Sequence, residues 1–206
     1  MEPDISISTP NVPKVSGIIL AAGISSRMGR PKQLLKYKGK TLLQTVVDAA
    51  TSSVLDETIV VLGHKRELIL QTTDFSGVRV IVNKNHAEGQ SSSIRAGLSG
   101  VSENQNAALF LLSDQPLVTP DLIRTILERY RKTRAGIIVP VENGRRGNPV
   151  LIDRKLFEDL KRIKGDTGGR SLFDHHKNDI SFLEVPDKGI HIDIDTPDDY
   201  QQLLQS

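Results

Sequence analysis

The densest chemistry in the sequence lies between residues 20 and 32, Leu20-Ala21-Ala22-Gly23-Ile24-Ser25-Ser26-Arg27-Met28-Gly29-Arg30-Pro31-Lys32. Its small residues let backbone N–H groups come close to a phosphate chain. Arg27 can grip phosphate oxygens with a planar fork, and Lys32 supplies a movable point charge. Neither familiar phosphate loop fits. A P-loop has four residues between its glycines and then Lys-Ser/Thr, whereas five separate Gly23 from Gly29 and Arg30-Pro31 follows. A dinucleotide fingerprint needs glycine at position 25, where Ser25 stands, and Pro31 interrupts an early helix. The segment therefore reads as a basic phosphate loop of a third kind. A solvated loop with incidental charges explains any one cation, but not glycines, Arg27 and Lys32 together after a buried strand.

A phosphate loop that transfers phosphoryl groups calls for a metal, and two carboxylates are placed for one. Asp114 ends the apolar run 107–112 after Ser113. Mg²⁺ prefers one or two carboxylates plus substrate phosphates and water, which suits such a position. Asp193 and Asp195 close the run 190–194. Strand alternation predicts that both point to one side, with Asp195, the last, the better second ligand. A solvated carboxylate competes with each. Thr119-Pro120-Asp121 and Thr196-Pro197-Asp198 both read as helix starts, Thr as N-cap and Pro at the first helical position, and account locally for Asp121 and Asp198.

Other polar groups have two readings each. Ser91, Ser92 and Ser93 either cap the helix that follows them or bond a base or ribose. Arg145, Arg146 and Asn148 lie on a turn that either faces a second substrate or is merely exposed. The five histidines show no metal-ligand spacing, and no Ser/His/Asp set is identifiable.

These groups need a frame. Short apolar or β-branched runs at 17–21, 58–62, 78–82 and 107–112 alternate with helical spacing over 41–50, 66–72, 92–101 and 122–130. That alternation predicts a three-layer α/β/α, Rossmann-like domain with a mainly parallel sheet. The second half reads as strands at 136–140, 149–152, 181–185 and 190–194, and helices at 155–162, 170–175 and 198–204. Residues 1–14, with three prolines, read as a tail, and 15–206 as one domain. In such sheets ligands sit at the carboxyl ends of the strands, which is where residues 22–32, 113–116 and 195 fall.

Composition excludes other classes. A net charge of +2 with mixed signs, three Tyr and five Phe argue against nucleic acid as partner. No stretch approaches the roughly 20 apolar residues of a membrane span. The absence of cysteine excludes disulfides and thiolate metal sites and fits a cytoplasmic protein.

The motifs together resemble the molybdenum cofactor nucleotidyltransferases, within the nucleotide-diphospho-sugar transferase fold. The resemblance rests on the loop 20–32, on Gly89-Gln90-Ser91-Ser92-Ser93-Ile94-Arg95-Ala96-Gly97, Asp114-Gln115-Pro116, Gly147-Asn148-Pro149-Val150, Gly165-Asp166-x-Gly168-x-Arg170 and Asp195-Thr196-Pro197-Asp198-Asp199. It covers residues 16 to about 203. It implies that Leu20, Ala21, Ala22 and Gly23 frame the base, that Arg27 and Lys32 bind the triphosphate, and that Ser92 or Ser93 touches base or ribose. It implies Mg²⁺ on Asp114 and Asp195, and an acceptor such as molybdopterin near Arg146 and Asn148. Relatives often carry His where this chain has Asn148, so an acid/base role there is ruled out. Guanylyl-transferring relatives tend to have Gly-Gly at Ala22-Gly23. The Ala22 methyl therefore leans toward CTP over GTP, by the about 1–3 kcal/mol that one methyl is worth. The product's receiver would be a molybdoenzyme or its chaperone. Sugar-phosphate or isoprenoid cytidylyltransfer, guanylyl transfer to the same cofactor, and a noncatalytic nucleotide-binding protein are the alternatives.

Overall fold

A computed structural model describes residues 12–205. Most of the tail expected at 1–14 lies outside them; from Lys14 the chain is bonded to Asn106 on both sides of the peptide.

In chain order the strands are β1 (Val15–Ala21), β2 (Lys36–Tyr37), β3 (Lys40–Thr41), β4 (Glu57–Leu62), β5 (Arg79–Val82), β6 (Ala107–Leu112), β7 (Ile137–Glu142), β8 (Arg145–Arg146), β9 (Val150–Asp153) and β10 (Ile180–Glu184). The helices are α1 (Leu42–Thr51), α2 (Arg66–Thr72), α3 (Gln90–Ser99), α4 (Pro120–Thr133), α5 (Phe157–Arg162) and α6 (Pro197–Leu204). The main sheet runs β10-β7-β9-β6-β1-β4-β5, with β8 paired to β7. β1 pairs in parallel with β4 and β6, β4 with β5, and β7 with β10; only β8 and β9 run antiparallel.

The period-2 alternation of the central strands fills two cores, one on each face. Ile19, Leu109 and Leu111 pack with Val46 of α1 and Ile123 of α4 on one face. Ile18, Ala108 and Phe110 pack with Ile94 of α3 and Leu160 of α5 on the other. These are the three layers expected. A third, smaller cluster joins Met28, Leu35 and Leu42 to Ile194 and Leu203 of α6, and so anchors the loop after β1 to the end of the chain.

Both Thr-Pro starts form as expected. Thr119 Oγ1 accepts from the Leu122 N–H at 3.2 Å, and Thr196 makes a capping box with Asp199. Three expectations differ from the structure. Residues 190–194 are not a strand: a 3-10 turn, Lys188–His191, fixed by Asp187 Oδ1 accepting from Gly189 N–H at 2.8 Å, takes its place. The regular spacing of Ile190, Ile192 and Ile194 arises because the outer two enter different cores while Ile192 is exposed. The segment after Gly168 is a 3-10 turn, Gly169–Leu172, in place of the expected helix at 170–175. The hairpin β2–β3 was not anticipated; its two-residue strands are too short for alternation to show.

Helix α3 lies close on the sheet at Gly97. A Cβ there would stand 2.5 Å from Ile18 Cγ2 and 3.2 Å from Val61 Cγ2. Gly97→Val therefore forces α3 off the strands that carry the site. It is expected to lower unfolding free energy by about 1–3 kcal/mol, the usual cost of overpacking. Urea denaturation measures this; a midpoint equal to wild type would contradict the packing described.

Candidate active site

The loop after β1 is held by its own side chains. Ser25 takes a left-handed conformation with φ 59°, a 3-10 turn covers Ser26–Met28, and Gly29 follows with φ 67°, a value that favours glycine. Gln33, 1 % exposed, donates through Nε2 to the Ala21 and Gly23 carbonyls at 3.2 Å each. Ser25 Oγ accepts from the Lys32 N–H at 3.2 Å. These bonds fold the loop back on itself and carry Lys32 toward the carboxyl end of β6. Gln33 escaped sequence reasoning because an isolated Gln beside a lysine carries no pattern.

At that end Lys32 Nζ bridges two carboxylates. It contacts Asp114 Oδ2 directly and Asp195 Oδ1 at 2.8 Å. Arg27 reaches Asp195 Oδ2 at 3.1 Å from a largely exposed position. A main-chain bond from Ile194 N–H to the Asp114 carbonyl at 3.1 Å sets the two acidic segments side by side. Asp193 instead accepts from Gln115 Nε2 at 2.6 Å. Strand alternation, which was expected to align Asp193 with Asp195, does not apply, because the segment is not a strand. Both nonetheless line the same cavity.

The electrostatics follow from this geometry. Burial alone would lower the Lys32 pKa. The Asp114 charge and the hydrogen bonds to Asp114 and Asp195 outweigh it, and the ammonium stands above the ordinary 10.5. The hydrogen bond from Lys32, then the Lys32 and Arg27 charges, hold Asp195 below the ordinary 3.8 against partial burial. Burial, reinforced by the Asp114 charge, pushes Asp193 above it.

Two cavities meet at this cluster. The first, about 710 Å³, is lined by Ala22, Gly23, Ser25, Arg27, Lys32 and Ser93 among others. The second, about 310 Å³, has Phe110, Val150 and Ile152 as apolar walls, and Asn148 and Arg170 among its polar groups. Leu20, Gln90, Leu112, Asp114 and Asp195 line both.

Most residues singled out from sequence are thus brought together: Leu20, Ala22, Gly23, Arg27, Lys32, Ser93, Asp114 and Asp195 around the first cavity, Asn148 in the second. Ala21 is buried behind the loop, offering only its carbonyl to Gln33. The serines do not cap α3, whose N-cap is Gly89. Ser92 is buried outside both linings, donating to the Gly89 carbonyl at 2.8 Å and accepting from Asn83 Nδ2 at 2.8 Å. Arg146 is not at the site. It lies on β8 with its guanidinium 5.5 Å from the Phe173 ring and 5.3 Å from the Phe182 ring, where rings attract cations. Gln90 and Arg170 were quoted only within motifs and given no role; their place became visible with the second cavity.

The donor set fits a Mg²⁺ ion that arrives with its substrate. Among the described residues no group of three or more His, Cys, Asp or Glu could hold a metal. Asp114 and Asp195 are two hard oxygen donors already grouped around a cation, and Mg²⁺ completes its shell with phosphate and water.

A parallel α/β sheet with a small-residue loop after its first strand, two cations facing two carboxylates and two abutting cavities defines a nucleotidyltransferase. The comparisons place it further: residues 17–180 match the MobA-like NTP transferase domain, and the chain belongs to that family. It is 32 % identical to the molybdenum cofactor cytidylyltransferase of Escherichia coli over 188 residues, 89 % of this chain and 92 % of that protein. It is 28 % identical over 201 residues to a nicotine blue oxidoreductase of Paenarthrobacter nicotinovorans, covering 94 % and 98 %. Among solved structures, Rv0371c of Mycobacterium tuberculosis aligns with a TM-score of 0.86 at 32 % identity over 95 % of this chain and 100 % of that one. Its manganese complex aligns at 0.82 and 30 %, over 94 % and 99 %. No helix of the described residues is long and apolar enough to cross a membrane.

Because Lys32 neutralises the carboxylates, the stability Asp195 contributes is fully present above its unfolded pKa. It is lost only as pH falls through a midpoint below 3.8. Lys32 contributes below 10.5 and is lost as pH rises through its raised value. In Lys32→Met the Asp195 midpoint should move upward, read by carboxyl ¹³C NMR titration. An unmoved midpoint would show that Lys32 does not set it.

Proposed function

We propose that this protein transfers CMP from CTP to a phosphorylated acceptor of the molybdopterin type, releasing pyrophosphate. The observation that carries this reading is the Lys32–Asp114–Asp195 cluster at the junction of two cavities, one lined by the loop after β1 with Arg27 and Lys32, one largely apolar. The larger cavity takes the nucleotide, with the base against Leu20–Gly23 and the phosphates toward Arg27 and Lys32. The smaller takes the acceptor. The reaction forms a bond from an acceptor phosphate oxygen to the α-phosphorus and breaks the bridging bond to the β-phosphate.

Two anions must meet, so charge is the main obstacle. Lys32 and Arg27 turn from their carboxylates to the triphosphate and stabilise charge that builds in the transition state. The loop fixed by Gln33 holds the α-phosphate in line with the acceptor, and positioning of this kind replaces a protein nucleophile. Asp114 and Asp195 would hold Mg²⁺, which supplies Lewis-acid polarisation of the phosphate oxygens when bound. That a structure of Rv0371c was solved as a complex with manganese is consistent with the use of a divalent ion. The acceptor assignment draws on the name of the E. coli relative and on Asn148, whose amide can bond a pterin-like ring. The product would pass to a molybdoenzyme or its chaperone.

The preference for CTP rests on Ala22. Ala22 lines the larger cavity beside Gly23 and would stand at the base. Thermal shift with CTP, GTP, ATP and UTP plus Mg²⁺ should give the largest stabilisation with CTP. Ala22→Gly should narrow the CTP-over-GTP gap, by up to about 1–3 kcal/mol for one methyl. A wild-type preference for GTP would overturn the reading of Ala22.

Lys32→Ala and Asp114→Ala, each checked for folding by circular dichroism, should lower pyrophosphate release at least about tenfold, as loss of a charge-stabilising contact does. Near-normal turnover in either would sink the mechanism.

A further inference from the structure

The acceptor cavity has an electrostatic problem. Its described lining includes three carboxylates, Asp114, Asp193 and Asp195, and a single cation, Arg170. Asp114 and Asp195 are engaged by Lys32, and Asp193 by Gln115. Lys32 and Arg27 line the other cavity. An acceptor that attacks through its phosphate must bring a second anion to this place.

We propose that Arg170 is the residue that binds the acceptor's phosphate. The inference rests on the nucleotidyl-transfer reading above and gives its acceptor site a specific anchor. Three observations carry it. The Arg170 guanidinium makes no hydrogen bond or ion pair with any described residue, so its fork of donors is free; only its main-chain carbonyl is engaged, by the Phe173 N–H. Its side chain is exposed on the cavity rim, while the cavity wall beneath is apolar, with Ile94, Phe110 and Ile152. Its backbone is held near the junction: two residues earlier, a Cβ on Gly168 would stand 2.6 Å from Gln90 Oε1, and Gln90 lines both cavities.

The cavity therefore sorts an acceptor into two parts. Its body lies on apolar walls with Asn148 as a polar contact, and its phosphate is gripped bidentately by the Arg170 guanidinium beside the α-phosphate of the nucleotide. A phosphate dianion attacks directly through oxygen, so no proton acceptor is required, and pyrophosphate carries the displaced electron pair. Arg146, the cation nearer in sequence to Asn148, is stacked on aromatic rings outside the cavity and leaves this task to Arg170.

The probe is inorganic phosphate, titrated by ³¹P NMR onto enzyme saturated with Mg²⁺ and an α,β-methylene analogue of CTP or GTP, whichever gives the larger thermal shift. The analogue fills the triphosphate subsite, leaving the acceptor side open. Wild type should bind phosphate saturably. Arg170→Gln should weaken it about tenfold or more, as loss of a charge-assisted fork does, and Arg170→Lys should recover part. Equal affinities in wild type and Arg170→Gln, or no saturable binding in wild type, would overturn the proposal. Because the Arg170 guanidinium has no partner among the described residues, the melting temperature of Arg170→Gln should match wild type.

A second arm separates this inference from the reading it rests on. With CTP and molybdopterin, Arg170→Gln should raise KM for the acceptor about tenfold and leave KM for CTP unchanged. Turnover with both constants unmoved, or with only the CTP constant raised, would overturn the role of Arg170. Absence of pyrophosphate release by wild type with molybdopterin and with sugar phosphates would overturn the transfer reading, and the phosphate titration would still decide Arg170.

Discussion

The Lys32 ammonium, lodged between Asp114 and Asp195, is the interaction on which the site depends. Three carboxylates crowd the carboxyl end of β6, and like charges at close range in a partly buried place repel strongly. Lys32 offsets that repulsion, aided at the rim by Arg27. The loop after β1 must therefore fold back far enough to deliver a lysine twelve residues beyond Leu20, and its internal bonds through Gln33 and Ser25 accomplish this. The end of the chain must also come back, since Asp195 lies 81 positions beyond Asp114 and is held by the Ile194–Asp114 main-chain bond and by the small core under α6.

The same pairing suits catalysis. A lysine held by carboxylates is preorganised yet exchangeable: in the proposed function a triphosphate would offer it a competing anion, and Asp114 and Asp195 would then be free to hold a divalent ion. A closed metal cage of three or more acidic or imidazole ligands is not present among the described residues; in the proposed function, substrate phosphates would complete the shell of an ion held by Asp114 and Asp195. The two cavities abut at this point, sharing Asp114 and Asp195 in their linings.

The family match over residues 17–180 and the alignment with Rv0371c over 95 % of the chain span the elements that line both cavities. The second cavity is built by β9, by the turn after Gly168 and by α5, the part of the chain where the sequence departs from plain βα alternation. On the proposed reading, acceptor choice would reside there, in Asn148, Arg170 and the apolar walls, and nucleotide choice beside Ala22.

The sequence alone determined the layers, the loop and the acids, Asp114 and Asp195, that meet beside it. Buried parallel strands write themselves as short apolar runs, Thr-Pro pairs write helix starts, and glycines, Arg27 and Lys32 after a strand write a phosphate loop, because each is a local demand on a few adjacent residues. Tertiary structure alone decided that Lys32 bridges Asp114 and Asp195, that Asp193 answers Gln115, that Ser92 is turned from both cavities toward Asn83, and that Arg170 rather than Arg146 lines the second cavity. Each of these turns on which distant segments meet. Residues 190–194 show the reason most plainly. Alternating isoleucines satisfied the rule for a strand, but two of them fill separate cores formed by remote parts of the chain, and no local pattern records which core a side chain will enter.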